Sequence, residues 1–502
     1  MKTKQILSLL LMFVVYTSIS QTFEAVKVKP FGRSPKIELY KNDKGEIILN
    51  QYKAGMMTNR SMYELYEHNG EFLLARYQKN GTLIEDKTVK TDNANHVMSL
   101  NFANDNIALL SKYTKDVLSI YYCGFESSNQ GNPKEIFSTK ITKRKDINIS
   151  AVTSANDKFM AVINVHENKG DTYVNAAVFD EDFNRIWQAK NLIVPANFET
   201  STVSEFALSE EGDLFLLMES YDSKRKSITD FEISLLVIRD GSLEKENIPF
   251  GNILPAQSRM SCKDNKLALG GLFLAPNVGG IHGVYSVVTD AKNIDLSDIQ
   301  AVAFSDKFKK ESTGNSNYSG KKPLDMDYMR LRYLLPTENN KFIMLFEQYK
   351  LHIVETYGQG ARTDVYNSEW AIYYALVNAD GSFEALDYIP RKNYSRNSVG
   401  GIHSFSAVVK GDKTYVLYNY GAKQKGMNFD KYPVNNFAKK TNVVAVTSID
   451  NGTGNFKTKY YTSPKAKSTW IERNVVLLDN DEVVFLTKSK SARFLSRIRL
   501  DF

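Results

Sequence analysis

The feature that most constrains the fold is a unit that recurs along the chain. Each copy is an apolar strand, a tight turn rich in Asn, Asp and Gly, and a second strand that contains an apolar quartet. Because Asn, Asp and Gly tolerate the positive φ angles of tight turns, each unit predicts a β-hairpin. The quartets begin 52 to 75 residues apart at Ile47, Ile107, Phe159, Leu214, Leu267, Phe342, Tyr415 and Val483.

A second hairpin follows the first in most units. Its turns are predicted at Asn80-Gly81, Asp182 to Asn184, Asp240-Gly241, Asp380-Gly381 and Asn451-Gly452. Two hairpins make four antiparallel strands, and tandem four-stranded sheets are the building plan of a β-propeller. The 28 Tyr and 28 Phe residues also favour pleated, half-buried surfaces. The sequence therefore predicts an all-β fold, an eight-bladed β-propeller, with a seven-bladed propeller as the alternative.

The two ends of the repeat array predict how the ring closes. The last unit has room for only three strands before Phe502, while the segment "FEAVKVK" from Phe23 precedes the first hairpin without a partner. A closed ring must cover both free edges. The N-terminal strand, Phe23 to Lys29, is therefore predicted to complete the last blade beside Phe494 to Leu500.

The chain resembles secreted bacterial β-propellers. Its hairpin "LSEEGDLFLL" is similar to the turns of TolB-like and WD-repeat blades. The resemblance implies a propeller of unknown function over residues 21 to 502. The sequence contains no Trp-Asp signature, kelch Gly-Gly pattern or sialidase-type Asp box, so the resemblance implies no activity.

The N-terminus has the pattern of a secretory signal peptide. Lys2 and Lys4 precede an apolar run from Ile6 to Tyr16, and a small-x-small triplet ends at Ser20. This order predicts a signal peptide at residues 1–20, a single propeller domain at 21–502, and export to the periplasm, the cell surface or the medium. The sequence contains no second apolar segment of membrane length, so no transmembrane anchor is expected.

Charge and cysteine content exclude little but set expectations about partners. A formal net charge of +7 on 502 residues is weak and does not predict binding to nucleic acid. The two cysteines, Cys123 and Cys262, do not make a disulfide framework, and a bridge between them is not favoured.

The pentapeptide VGGIH occurs twice, from Val278 and from Val399, and each copy runs into a predicted strand. The favoured interpretation is a Gly-Gly bend whose histidine, His282 or His403, is buried against its own blade and bonded to backbone. The alternative makes His403 functional, because it precedes an innermost strand and would lie near the central channel.

Three long connections are predicted on one face of the ring, beginning at Ser305, Glu347 and Asn419. Long loops on a rigid scaffold commonly carry binding sites, and these mix Tyr or Phe with Lys, Arg and Gly. Such residues suit sugar rings or peptides and can contact carboxylates. The candidate ligand-binding residues are Tyr349, His352, Tyr357, Arg362, Tyr366, Tyr394, Arg396, His403, Tyr420, Lys423, Lys425 and Tyr432.

The sequence contains no zinc-protease helix motif, nucleophile elbow or phosphate-binding loop. No catalytic residue is therefore assigned, and no metal or cofactor is expected. The predicted function is a non-catalytic binding or scaffolding propeller that engages a protein or glycan of the cell envelope. The alternative is a carbohydrate-active propeller enzyme, a glycoside hydrolase or polysaccharide lyase, with acidic side chains around the central channel.

Overall fold

The structure is a computed structural model that describes residues 21–22, 24–27, 35–41, 46–53, 71–80, 82–90, 96–103, 105–124, 133–141, 147–168, 171–195, 198–221, 231–274, 280–313, 326, 328–338, 340–356, 362–396, 405–424, 427, 435–436, 442–462, 470–478, 481–489, 492–500 and 502. The predicted signal peptide at 1–20 lies outside these residues.

The described strands form eight sheets that follow one another along the chain. The chain begins with β1 (Gln21–Thr22) and β2 (Glu24–Lys27). The first sheet contains β3 (Pro35–Lys41), β4 (Ile47–Lys53), β5 (Glu71–Tyr77) and β6 (Leu83–Lys90). The second contains β7 (His96–Phe102), β8 (Asp105–Thr114), β9 (Val117–Gly124) and β10 (Lys134–Lys140). The third contains β11 (Ile149–Thr153), β12 (Phe159–Asn168), β13 (Asp171–Asp180) and β14 (Arg185–Val194). The fourth contains β15 (Thr200–Leu208), β16 (Leu214–Tyr221), β17 (Phe231–Arg239) and β18 (Ser242–Asn247).

The remaining sheets continue the same order. The fifth contains β19 (Leu254–Lys263), β20 (Lys266–Leu274), β21 (Gly283–Asp290) and β22 (Gln300–Ala303), and helix α1 (Asp306–Ser312) follows it. The sixth contains β23 (Met329–Pro336), β24 (Phe342–Thr356), β25 (Arg362–Val377), β26 (Phe383–Ile389), β27 (Asn393–Arg396) and β30 (Asn435–Asn436). The seventh contains β28 (Phe405–Lys410), β29 (Lys413–Gly421), β31 (Asn442–Asp450) and β32 (Phe456–Thr462), with a 3₁₀ turn at Ala422–Gln424 after β29. The eighth contains β33 (Trp470–Leu477), β34 (Glu482–Ser489) and β35 (Ala492–Arg499), to which β2 is added.

The first strands of the eight sheets contact one another in a circle. Strands β3, β7, β11, β15, β19, β23, β28 and β33 each contact the next, and β33 contacts β3. The first strands are therefore innermost and the sheets radiate from a common centre. This arrangement is an all-β propeller, as predicted.

The apolar quartets lie in the second strand of each sheet, where both faces are covered by neighbouring sheets. In β16, for example, every residue from Leu214 to Met218 is buried. Val203 and Leu214 belong to a core shared with the third sheet, whereas Phe215 and Leu217 belong to a core shared with the fifth. Burial on both faces explains why these strands are continuously apolar instead of alternating.

The predicted ring closure is confirmed for Glu24–Lys27, whereas Phe23, Val28 and Lys29 of the predicted strand lie outside the described residues. Strand β2 pairs antiparallel with β35, with Glu24 opposite Arg497 and Lys27 opposite Phe494. Ala25 is buried in the core that the seventh and eighth sheets share. The short strand β1 pairs with β32 of the neighbouring sheet, in parallel orientation.

The three connections predicted to be long loops contain regular structure, which corrects that expectation. The connection from Glu347 is largely strand, because β24 and β25 pair as far as Thr356 opposite Arg362. The connection from Ser305 begins with α1, whose first turn is capped by the Ser305 side chain. The connection from Asn419 contributes β30 to the sixth sheet. These segments share one end of the ring, the end that carries the connections between second and third strands; we call it the upper face.

Candidate binding surface on the sixth sheet

The sixth sheet is enlarged at the upper face because β24 and β25 are about twice as long as the strands around them. The C-terminal half of β25 pairs with β26, from Ile372 to Val377. After β26 the chain turns back, and β27 pairs with the N-terminal half of the same strand, from Tyr366 to Glu369. Strand β30, from the long segment of the seventh sheet, then pairs with β27. The upper part of this sheet is therefore built from segments far apart in the sequence.

A buried ion-pair cluster occupies the point where β26 ends and β27 begins. Arg391, Glu347 and Glu369 are all buried. Arg391 Nη2 donates to Glu347 Oε2 at 2.6 Å, and Arg391 Nη1 lies 3.4 Å from Glu369 Oε2. Arg391 Nε also donates to the backbone oxygen of Trp370 at 3.1 Å. Each ionised group thus has opposite charges or hydrogen-bond partners, which such burial requires.

The cluster ties the innermost strand of the sheet to the neighbouring sheet. Arg332, on β23, donates from Nε to Glu347 Oε1 at 2.6 Å. On the other side, Asn393 donates from Nδ2 to the backbone oxygen of Asn419, on β29, at 2.9 Å. Gln424 donates to the backbone oxygen of Lys392 at 2.6 Å. These bonds hold the upper part of the sixth sheet rigidly against the seventh.

Cationic and aromatic side chains cross the sheet at the level of this cluster. The guanidinium carbon of Arg330 lies 4.1 Å from the centroid of the Tyr349 ring, and Lys350 Nζ lies 4.9 Å from that of Tyr328. The backbone N–H of Tyr349 donates to the oxygen of Tyr328 at 2.9 Å, so the two pairs are adjacent. We call these four residues the cation–aromatic group. Tyr328 is 52 % exposed and Lys350 is also exposed.

A third pair extends the row towards β27. Lys392 Nζ lies 5.8 Å from the centroid of the Trp370 ring. The two nearby carboxylates, Glu347 and Glu369, are buried and already engaged by Arg391 and Arg332. The row therefore contains three cationic side chains, those of Arg330, Lys350 and Lys392.

The structure describes eight of the twelve predicted ligand-binding residues. Tyr349 belongs to the cation–aromatic group, and Tyr366 and Tyr394 have ring centroids 6.0 Å apart on β25 and β27. His352, Arg362 and Arg396 lie on strands of the sixth sheet, and Lys423 is exposed in the 3₁₀ turn after β29. Tyr357, His403, Lys425 and Tyr432 lie outside the described residues.

Tyr420 was predicted to lie in an exposed loop, but the structure places it in the core. It is the penultimate residue of β29 and is buried in the core between the sixth and seventh sheets. Its ring centroid lies 4.9 Å from that of Tyr460. The strand continues further than the sequence suggested, so this tyrosine packs in the core.

Sequence reasoning did not select Arg330, Tyr328, Arg391, Glu347 or Glu369 as site residues. One signal for them was available, since Glu347 and Glu369 interrupt or adjoin otherwise apolar strand segments, "FIMLFEQ" and "SEWAIYYALV". A charged residue in a doubly buried strand needs a buried partner. The partner, Arg391, follows the next strand, and only the fold brings it to Glu347.

Val278 and Gly279 of the first VGGIH copy lie outside the described residues, and the part from Gly280 onward bends into a strand as predicted. Gly280 has a φ of +77°, and the backbone N–H of His282 donates to the oxygen of Phe273 at 2.8 Å. The imidazole packs edge-on against Phe273 of its own sheet, with centroids 5.7 Å apart. Its Nδ1 atom is buried and has no hydrogen-bond partner among the described residues, so the predicted bond to backbone is not made by this atom.

A second polar feature lies on the innermost strands of the fourth to sixth sheets. Glu205 on β15 forms an ion pair with Arg259 on β19. Gln257 on β19 donates to the oxygen of Met329 and accepts from the N–H of Leu331, both at 2.8 Å. Burial raises the pKa of Glu205 to about 7, although the charge of Arg259 opposes this shift.

Metal and thiol chemistry have little support in the part of the chain that is described. It contains no group of three or more His, Cys, Asp or Glu side chains that could hold a metal ion. Cys123 and Cys262 are buried free thiols, and burial raises the pKa of Cys262 to about 12. Within the described ranges, no helix has the length and apolar character needed to cross a membrane.

No protein-family model matches the chain, and no curated protein matches it. Among solved structures, the chain is similar to the β-propeller domain of the Trilobed protease from Pyrococcus furiosus, with 10 % identity, a TM-score of 0.37, and coverage of 84 % of this chain and 97 % of that one. It is also similar to polysaccharide lyase Uly1, with 13 % identity, a TM-score of 0.36, and coverage of 97 % and 93 %. A third similar structure is an α-L-arabinanase from Penicillium chrysogenum, with 9 % identity, a TM-score of 0.32, and coverage of 70 % and 98 %. Similarities this distant assign neither a family nor an activity to the chain.

Proposed function

We propose that the protein is an exported binding propeller that holds an acidic glycan on the upper part of its sixth sheet. The observation that carries the proposal is the adjacency of two cation–aromatic pairs, Arg330 with Tyr349 and Lys350 with Tyr328. Exposed aromatic rings offer flat apolar surface to a sugar ring. The neighbouring guanidinium and ammonium groups donate charge-assisted hydrogen bonds to a carboxylate or sulfate.

The rigidity of the surface supports this function. The four residues lie on or beside strands whose positions are held by the buried cluster around Arg391. A ligand that binds to pre-ordered side chains loses less free energy to side-chain ordering. The surface is therefore suited to repeated, modest contacts along a polymer.

A glycan fits this part of the sheet better than an extended acidic peptide. Peptides that bind to sheets commonly add a strand to a free edge. At the level of the cation–aromatic group the sheet continues through β25 and β27 to β30. The exposed ring of Tyr328 is therefore the contact that this region offers to a sugar.

A panel of soluble polymers tests the proposal. The mature chain should bind polygalacturonate or dextran sulfate more tightly than an uncharged glucan, and more tightly than polyglutamate of similar charge. Isothermal titration calorimetry at two salt concentrations measures both the affinity and its ionic component. Equal affinity for all the polymers, or preference for polyglutamate, would remove the acidic glycan from the account.

A second candidate function is a carbohydrate-active enzyme, and the observation that favours it is Glu205. A carboxyl with a pKa near neutrality can serve as a proton donor at the pH of the envelope. Glu205 lies on an innermost strand, where β15 has a register shift next to it, and bulges often redirect side chains at active sites.

Turnover assays separate the two functions. An enzyme should release new reducing ends or unsaturated ends from a polysaccharide panel, and Glu205→Gln should abolish that release while leaving polymer binding intact. Glu232→Gln is the matched control, because Glu232 pairs with Lys245 elsewhere in the fourth sheet. If the wild-type chain releases no product from the panel, the enzyme candidate is discarded and the binding function stands.

A further inference from the structure

A buried polar network lies between the second and third sheets, near the upper face. Asn164 on β12 and Asn175 on β13 are directly opposite each other in the antiparallel pair, and both are 0 % exposed. Their side chains face the second sheet, since Val162 and Ala177, two residues away on the same strands, belong to the core that these two sheets share. Thr139 of the second sheet reaches this network, because its hydroxyl donates to Asn175 Oδ1 at 2.7 Å.

Backbone N–H groups fix the orientation of both side-chain amides. The N–H of Asn148 donates to Asn164 Oδ1 at 2.9 Å. The N–H of Asn191 likewise donates to Asn175 Oδ1 at 2.9 Å. Because a backbone N–H can only donate, the oxygen of each amide must face it, and the nitrogen takes the other position. With its nitrogen placed in this way, Asn164 Nδ2 lies 3.5 Å from His166 Nδ1.

This contact determines which nitrogen of the His166 ring carries the hydrogen. The amide nitrogen of Asn164 is a donor, so Nδ1 of the imidazole must be the acceptor. The neutral ring therefore carries its hydrogen on Nε2, because the hydrogen bond made by one ring nitrogen sets the state of the other. A hydrogen on Nδ1 would place two donors against each other. Asn164 is thus a positioning residue that acts on the imidazole.

An aromatic ring holds the other side of this arrangement. Tyr173 lies opposite His166 in the pair of β12 and β13, and the two ring centroids are 5.1 Å apart with an interplanar angle of 12°. Both side chains are partly exposed. They lie close to the connection between β12 and β13, which belongs to the upper face. The pair therefore forms a flat aromatic surface in which the tautomer of the imidazole is fixed.

We propose that His166 and Tyr173 form a binding site for one uncharged sugar ring. A stacked aromatic pair offers a flat apolar surface to the face of a sugar, and the Nε2–H form of the imidazole supplies a donor for a hydroxyl. The side chains of Asn164, Asn175 and Tyr173 are uncharged, as is this form of His166, which favours a neutral ligand. The site shares no residue with the cation–aromatic group, so it does not depend on the proposed glycan function.

The tautomer is tested by ¹⁵N NMR of the mature chain with labelled histidine, at about pH 8, above the ordinary pKa of a histidine. The His166 signals are assigned by comparison with His166→Gln. The wild-type ring should show an unprotonated Nδ1. Asn164→Asp replaces the amide donor with an acceptor of the same shape and should move the hydrogen to Nδ1. A wild-type ring with its hydrogen on Nδ1, or a tautomer that Asn164→Asp leaves unchanged, overturns the positioning role.

Sugar binding is measured by titration of the same His166 signals. The probes are cellohexaose, maltohexaose and xylohexaose, with hexagalacturonate as the acidic comparison and sorbitol as an acyclic polyol. A saturable shift with at least one neutral oligosaccharide, and none with sorbitol, supports the site. No response to any of the neutral oligosaccharides overturns it. A response to hexagalacturonate alone, or an equal response to sorbitol, also overturns the proposal of an uncharged sugar ring.

Variants of Tyr173 separate ring stacking from a general effect on the fold. Tyr173→Leu should weaken binding of the responding oligosaccharide about tenfold, because it removes the aromatic surface. Tyr173→Phe keeps the ring and should keep binding within about threefold, which guards against loss of folding in the leucine variant. Tyr221→Leu is the matched control, since Tyr221 is a partly exposed tyrosine at the end of β16 in the fourth sheet. Equal weakening by Tyr173→Leu and Tyr221→Leu would contradict the assigned site.

Discussion

Arg391 and Glu347 form a fully buried ion pair in which Nη2 of the guanidinium lies 2.6 Å from Oε2 of the carboxylate. The pair joins the end of β26 to the middle of β24, and Arg332 and Glu369 extend it. The cation–aromatic group rests on the same strands. The stability of this cluster therefore determines whether the proposed surface keeps its shape.

Replacing Arg391 should destabilise the fold strongly. Arg391→Met leaves Glu369 and part of Glu347 without compensating charge, and breaking a buried pair in this way costs about 3–5 kcal/mol. Urea unfolding followed by circular dichroism measures the loss. Lys392→Met, at the next residue, is the control and should cost about 1 kcal/mol or less, since the Lys392 ammonium lies over the Trp370 ring and is not part of the buried cluster. Similar losses for the two variants would contradict the assigned role of the cluster.

Strand β2 should be sensitive to charge on one face only. Ala25 is buried between the seventh and eighth sheets, whereas Lys27 on the same strand is exposed. Ala25→Asp buries an unpaired carboxylate and should cost about 2 kcal/mol or more, whereas Lys27→Asp should stay within about 1 kcal/mol. Thermal unfolding of both variants compares them directly. If Ala25→Asp and Lys27→Asp unfold at the same temperature, β2 does not close the ring in solution.

Glu205 should make stability depend on pH. Its pKa rises from 4.5 to about 7 on folding, so folding favours the protonated form. The stabilising effect is fully present below about pH 4.5 and is lost as the pH rises to about 7. Relative to Glu205→Gln, the wild-type chain should therefore lose up to about 3 kcal/mol of unfolding free energy between pH 5 and pH 8. A difference between the two proteins that is flat across this range would show that the carboxyl is ionised throughout.

The sequence predicted those parts of the fold that depend on local chemistry. The Asp240-Gly241 turn is an example, since both residues have positive φ, +49° and +81°, and the pair was recognised from residue type alone. The pairing of β2 with β35 was also predictable, because a closed ring cannot leave the edge of β35 uncovered.

The site was predicted less well, because its geometry depends on contacts between distant segments. Tyr349, Tyr366 and Tyr394 were selected as loop residues, and the structure does bring them to one sheet, on β24, β25 and β27. Their strands were missed because "YKLHIVET" and "RTDVYNSEW" are polar enough to suggest a loop, although they alternate. Arg391 was missed because its partners are 22 and 44 residues away in the chain, at Glu369 and Glu347.

The central claim is that the cation–aromatic group of the sixth sheet binds an acidic glycan, and a pair of matched lysine variants tests it most directly. Lys350 lies over Tyr328 on the sixth sheet, and Lys112 lies over Tyr121 on the second sheet in a similar geometry, with Nζ 4.9 Å and 5.2 Å from the ring centroids. The measurement is the dissociation constant for polygalacturonate of Lys350→Met, Lys112→Met and the wild-type chain. Lys350→Met should weaken binding about tenfold, the loss expected for one charge-assisted hydrogen bond, and Lys112→Met should change it by less than about twofold. Equal effects of the two substitutions, or no effect of Lys350→Met, would contradict the proposed surface.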